Sequence, residues 1–77
     1  MFEQALIDFI KERSGVSDFD AETPLFSGGL LDSMAVLDLT AFVQRKTGVP
    51  FASSDVTLDN LDTLSRILAF VNKHRTA

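Results

Sequence analysis

The chain has 77 residues, a formal net charge of −4 and no cysteine. A chain this short forms one domain, residues 1–77, and buries only about 60% of the surface its unfolded form exposes, too little for a deep catalytic cleft beside a full core. Without cysteine there is no disulfide, thiolate metal site or thiol nucleophile; the lone His74 makes a two-histidine metal site or an internal Ser–His pair hard to build; and the acidic balance works against nucleic-acid binding.

The first helix is predicted over residues 2–14. Phe2, Leu6, Phe9 and Ile10 recur there at helical spacing, with Glu3, Gln4, Asp8, Lys11 and Glu12 mostly on the other side, and Gly15 ends it. This stretch carries acids throughout and lacks the basic start of a signal peptide. No apolar run in the chain approaches the roughly 18 residues of a membrane helix, so a cytoplasmic protein is expected.

Residues 16–31, VSDFDAETPLFSGGLL, show no sustained period, and Pro24, Gly28 and Gly29 punctuate them. Loops of this length are uncommon in compact domains and usually serve a function. Val16, Phe19, Leu25, Phe26, Leu30 and Leu31 can pin this one onto the core.

A second helix is predicted to start at Asp32 or Ser33, both good N-cap residues, and to run to Thr47. Gly48 suits its exit, and Pro50 blocks continuation. Thr57 can cap a single turn over residues 58–61, and Asp62 can cap a last helix to about His74. In that helix Leu64, Ile67, Leu68 and Val71 follow the i, i+3, i+4, i+7 pattern, and Lys73, His74 and Arg75 place positive charge in the last turn, where the dipole favours it. The fold class is therefore all-α: a small four-helix bundle with three long helices, a short third helix and a long loop between the first two.

The second helix has more apolar surface than one core face needs. Val36, Leu39, Phe42 and Val43 form one broad face, while Met34, Leu37 and Ala41 form a second stripe beside Ser33. Either both stripes are buried between neighbouring helices, or the second is an exposed docking patch, for which the adaptable side chain of methionine is well suited.

Ser33 poses a similar choice. It can simply cap the helix. But Asp32 already offers a cap, the serine follows a long loop, and an apolar stripe lies beside it. A phosphate ester on a serine at a helix N-terminus gains from the helix dipole. Catalysis by Ser33 is not expected, because no base or oxyanion hole is recognisable, and the chain is not expected to be an enzyme.

The segment GLLDSM, followed by an amphipathic helix that ends at Gly48 and Val49, resembles the signature of acyl, peptidyl and D-alanyl carrier proteins. The likeness extends over nearly the whole chain in length, helix order, long first loop and acidic balance. It implies that Ser33 carries covalent 4′-phosphopantetheine, whose thiol holds an acyl or aminoacyl group as a thioester. It implies that Asp32 and Met34 meet the phosphopantetheinyl transferase, that Leu37 faces partner enzymes, and that Val56, Leu58 and Leu61 lie along the arm. Asp38 and Ala41 belong to the same expected partner-binding surface.

The sequence departs from the fatty-acid-synthesis pattern of that family. Residues 33–47 carry Asp38 but also Arg45 and Lys46, about +1 in all, and Ala35 stands where an acid is common. The LLDSM form is closer to D-alanyl carriers and to stand-alone carriers fed by adenylating ligases. The tail, VTLDNLDTLSRILAFV, is closer to the stand-alone carriers of nonribosomal peptide and polyketide pathways. A discrete, monomeric carrier is expected, loaded by an adenylating ligase and serving downstream condensing or transferring enzymes. A carrier of fatty-acid synthesis, a D-alanyl carrier and a plain helical interaction module remain the alternatives.

Overall fold

The computed structural model describes residues 2–75, with Arg75 described by its backbone alone. It contains α1 (Phe2–Ser14), α2 (Met34–Thr47), α3 (Leu58–Leu61) and α4 (Leu64–Arg75), with a 3₁₀ turn over Ser53–Asp55 ahead of α3. Among the described residues there is no strand, and the all-α reading stands. The expected role of the Arg75 side chain at the end of α4 lies outside what is described.

α1 packs against α2 and α4, and α3 packs against α4. The helical spacing explains the core. Leu6 and Ile10 of α1, Leu39 and Val43 of α2, and Ile67 and Val71 of α4 are fully buried. Phe2 and Phe9 are half-buried and stack against Phe42, at 6.4 and 4.6 Å between ring centroids. Arg13 of α1 pairs with Asp38 of α2 on the surface. No helix is long and apolar enough to cross a membrane among the described residues.

α2 ends as its sequence requires. Gly48 takes a φ of +76°, where a side chain would be strained, and its N–H reaches the Gln44 carbonyl at 2.8 Å. Thr47 donates its hydroxyl to the Val43 carbonyl at 2.7 Å and accepts from the Val49 N–H, which turns buried Val49 into the core.

The start of α4 differs from expectation. Thr63, not Asp62, is its cap: the Thr63 hydroxyl oxygen accepts from the Arg66 N–H at 3.0 Å. The Asp62 side chain turns away from α4 and into the long loop. Its Oδ1 accepts from the N–H groups of Phe26 and Ser27, each at 2.9 Å, and its Oδ2 accepts from the Ser27 hydroxyl at 2.6 Å. Three amide or hydroxyl donors clustered in the loop outcompete the one amide that Thr63 satisfies.

The loop is irregular but tied down, as its apolar residues suggest. Leu25 and Leu31 are buried, and Phe19, Phe26 and Leu30 pack partly against the core. Val16 is half-buried. The Ser65 N–H donates to the Ala21 carbonyl, and the Leu25 N–H to the Asp62 carbonyl. In the outer part of the loop, Asp20 closes its own turn by accepting from the Glu22 N–H and the Thr23 hydroxyl; these bonds hold its carboxyl below the usual value.

Candidate functional site

Ser33 immediately precedes α2 and already has helical backbone angles, φ −64° and ψ −23°. The residue before it does the capping: Asp32 Oδ1 accepts from the Ala35 N–H at 3.1 Å. This is the physical answer to why two cap-forming residues stand side by side. Asp32 satisfies the helix, and the Ser33 hydroxyl makes no cap bond. Ser33 is exposed, and apart from the capping carboxylate of Asp32 no acid lies in the first turn of α2.

A groove of about 340 Å³ opens beside this hydroxyl. It is lined by Phe26 and Leu31 of the loop, by Asp32, Ser33 and Val36 at the start of α2, and by Val56, Thr57, Leu58 and Leu61 of the α3 region. Its surface is mainly apolar, and its volume lies at the lower end of small-molecule sites. Asp32 is the one titratable residue among those that line it. His74 lies elsewhere, stacked on Phe70 with Nδ1 2.9 Å from the Phe70 carbonyl. Asp32 is engaged by the Ala35 N–H, and His74 is not among the residues that line the groove.

The second apolar stripe of α2 faces solvent. Met34 is 72% exposed and Leu37 is 73% exposed, while Ala41 is exposed between Leu37 and Arg45. The buried-on-both-sides reading is therefore wrong for this helix. Ser33, Leu37, Ala41 and Arg45 follow one another at four-residue spacing, so they share one outward strip. Asp38 is exposed next to this strip and is held by Arg13.

The expected site residues thus fall into two groups. Asp32, Ser33, Val56, Leu58 and Leu61 meet at the groove, whereas Met34, Leu37, Asp38 and Ala41 lie on the outer face of α2. Leu61 differs from Val56 and Leu58, which are exposed: it is only 2% exposed and serves the core as well as the groove. Ala35 is also buried, so an acid at this position would have to enter the core of this chain.

Sequence reasoning did not place Phe26, Leu31, Val36 and Thr57 at the groove. Phe26 and Leu31 were legible as loop anchors, and Val36 as an apolar residue of α2, but nothing local tells that they meet residues 56–61. The Asp62–Ser27 contact was also missed. Burial pushes the Asp62 carboxyl up, but the Ser27 hydroxyl, the Ser27 and Phe26 amides and the charge of Arg66 together outweigh it and hold the carboxyl below its ordinary value.

Comparison with known proteins agrees with this geometry. Residues 4–71 match the family described as "Phosphopantetheine attachment site". A protein of Serratia sp. (strain ATCC 39006), named probable acyl carrier protein PigG, is 30% identical over 76 residues, which cover 95% of this chain and 87% of that protein.

Proposed function

The chain belongs to the phosphopantetheine-attachment family, whose members hold 4′-phosphopantetheine covalently, and on that premise we propose that it is a discrete carrier protein with Ser33 as the attachment residue. The observation that carries this reading is the Ser33 hydroxyl, released from capping by Asp32 and exposed beside an apolar groove. The site suits the group: the N-terminal end of α2 favours the phosphate, and the groove offers apolar surface to whatever follows it. When bound, the group supplies a flexible arm with a terminal thiol that holds an acyl or aminoacyl cargo as a thioester.

The chain's own part in loading is that of a substrate. Ser33 forms the bond to the pantetheine phosphorus of coenzyme A, the adenosine bisphosphate leaves, and the serine proton passes to a base of the phosphopantetheinyl transferase, because Asp32, the one titratable residue lining the groove, is engaged in capping α2. Asp32 and Met34 flank the oxygen that the transferase must reach. Carrier proteins of this family are in general not catalysts, and this chain is read in the same way.

The outward strip of Met34, Leu37 and Ala41, with Val56 and Leu58 across the groove, offers partner enzymes a small apolar surface. Weak, exchanging contacts suit a shuttle, because the tether itself raises the effective concentration of the cargo. The outer strip of α2 ends in exposed Arg45, and Lys46, also exposed, lies 6.0 Å above the Phe42 ring on the side that packs against α1. That polarity supports loading by an adenylating acyl or aminoacyl ligase and service in nonribosomal peptide or polyketide-type secondary metabolism, rather than steering by an acidic helix as in fatty-acid synthesis. The likeness to a probable acyl carrier protein is consistent with the acyl form of this cargo. The carrier acts as a cytoplasmic monomer on this reading.

The test is intact mass after incubation with coenzyme A and a broad-specificity phosphopantetheinyl transferase. A gain of one phosphopantetheine that is lost in Ser33→Ala is expected. No gain in a folded chain returns the molecule to a plain helical interaction module. In addition, exchanging Arg45 and Lys46 for Glu is expected to change which ligase is accepted while leaving loading at Ser33 intact; equal loss of both activities counts against the partner assignment.

A further inference from the structure

The groove beside Ser33 is walled by two segments that are distant in the chain. Phe26 and Leu31 come from the long loop, and Val56, Thr57, Leu58 and Leu61 come from the region of α3. Asp62 follows Leu61 directly and is only 7% exposed. Every donor that reaches Asp62 from the loop belongs to residues 25–27. The Leu25 N–H reaches the Asp62 main-chain carbonyl at 2.6 Å, and the Phe26 and Ser27 N–H groups and the Ser27 hydroxyl reach its carboxylate. Leu31, the other loop residue at the groove, is tied into the same knot, because its N–H donates to the Leu25 carbonyl at 2.8 Å.

The helix itself does not call for this arrangement. Thr63 caps α4 without help from Asp62. A carboxylate buried to this extent is costly unless it is fully hydrogen-bonded. Here its bonds are spent on the loop, at the residue that forms one groove wall, from the residue adjoining the other.

We propose that Asp62 is a positioning residue that clasps the two walls of the groove beside Ser33 and so sets the room available to the apolar part of an arm-borne cargo. The inference rests on Ser33 as the attachment residue for its functional consequence, but not for the clasp itself. Asp62→Asn keeps the side chain's shape and removes its charge and one of its two acceptor oxygens. Ser27→Ala removes a single bond and leaves the carboxylate in place, so it serves if Asp62→Asn fails to fold.

The experiment has two arms. In the first, amide hydrogen exchange is followed on the unmodified chain. Asp62→Asn is expected to speed exchange about tenfold at Phe26, Ser27 and Leu31 and also at Leu61 across the groove, with Ser27→Ala in between and Leu39 and Val43 of α2 unchanged. Exchange at Leu61 equal to that of the parent chain overturns the clasp, whether or not Ser33 can be loaded. In the second, chains loaded with acetyl- or octanoyl-phosphopantetheine are exposed to hydroxylamine. Octanoyl is expected to be cleaved several-fold more slowly than acetyl in the parent chain, and the ratio is expected to fall towards one in Asp62→Asn. An equal ratio in both chains, or no protection of octanoyl in the parent, overturns the role of Asp62 in setting the groove. Failure of the folded parent chain to take up the arm overturns Ser33 as the attachment residue instead, and the first arm then decides the clasp alone.

Discussion

Two helices of this molecule begin with nearly the same words. Leu31-Asp32-Ser33-Met34 opens α2, and Leu61-Asp62-Thr63-Leu64 opens α4. Their side chains divide the work in opposite ways. At α2 the aspartate caps the helix and the hydroxyl is left exposed. At α4 the hydroxyl caps the helix and the aspartate is turned into the fold to bind the loop. The neighbours explain the inversion. Thr63 and Leu64 are buried, and loop amides lie within reach of Asp62, whereas Ser33 and Met34 face solvent with no competing donors for Asp32 among the described residues. A free hydroxyl at a helix start is thus a property of where the start sits in the bundle. The four-residue motif alone does not decide it.

The comparison can be broken most sharply by loading. Ser33→Ala is expected to abolish uptake of phosphopantetheine, while Thr63→Ala retains it, as read by intact mass. The next largest effect concerns the aspartates. Asp62→Ala leaves three loop donors without their acceptor and is expected to lower unfolding free energy by about 2–3 kcal/mol in urea titrations. Asp32→Ala removes only a cap and is expected to cost about 1 kcal/mol, as is Thr63→Ala at the other start. Ser33→Ala is expected to stay within about 0.5 kcal/mol of the parent, because its hydroxyl makes no cap bond. A large loss of stability in that variant would mean that Ser33 caps α2 after all.

Acid sharpens the contrast further. The Asp62 carboxyl is held below its ordinary value of 3.8 in the folded chain. A depressed carboxylate contributes stability in full above its unfolded value, and that contribution is lost as pH falls towards its folded value. The stability gap between the parent chain and Asp62→Asn is therefore expected to be constant near neutrality and to shrink below about pH 4. A gap that does not change on acidification would show that the carboxylate charge plays no part in holding the loop.

Much of this protein follows from short-range chemistry, and those parts are legible in its sequence. Helical spacing of Leu6 with Ile10, and of Leu39 with Val43, selects the buried faces of α1 and α2. Gly48, followed by Pro50, stops α2 where the sequence says it must stop. Asp32 beside Ser33 offers two caps for one helix, and the surplus of apolar residues on α2 announces a second surface. These are relations over four residues or fewer, or periodic ones, and the backbone enforces them locally.

Tertiary structure decided the rest. It chose between adjacent cap candidates, exposed Met34 and Leu37 while burying Ala35, and joined Phe26 and Leu31 to Val56, Leu58 and Leu61 as one groove. The bonds that hold that arrangement link residues 35 and 36 positions apart. Hydrophobic burial is non-directional and does not name its partners. A carboxylate such as Asp62 binds whichever donors the packed chain brings to it, so which donors those are is settled only when the helices are in place.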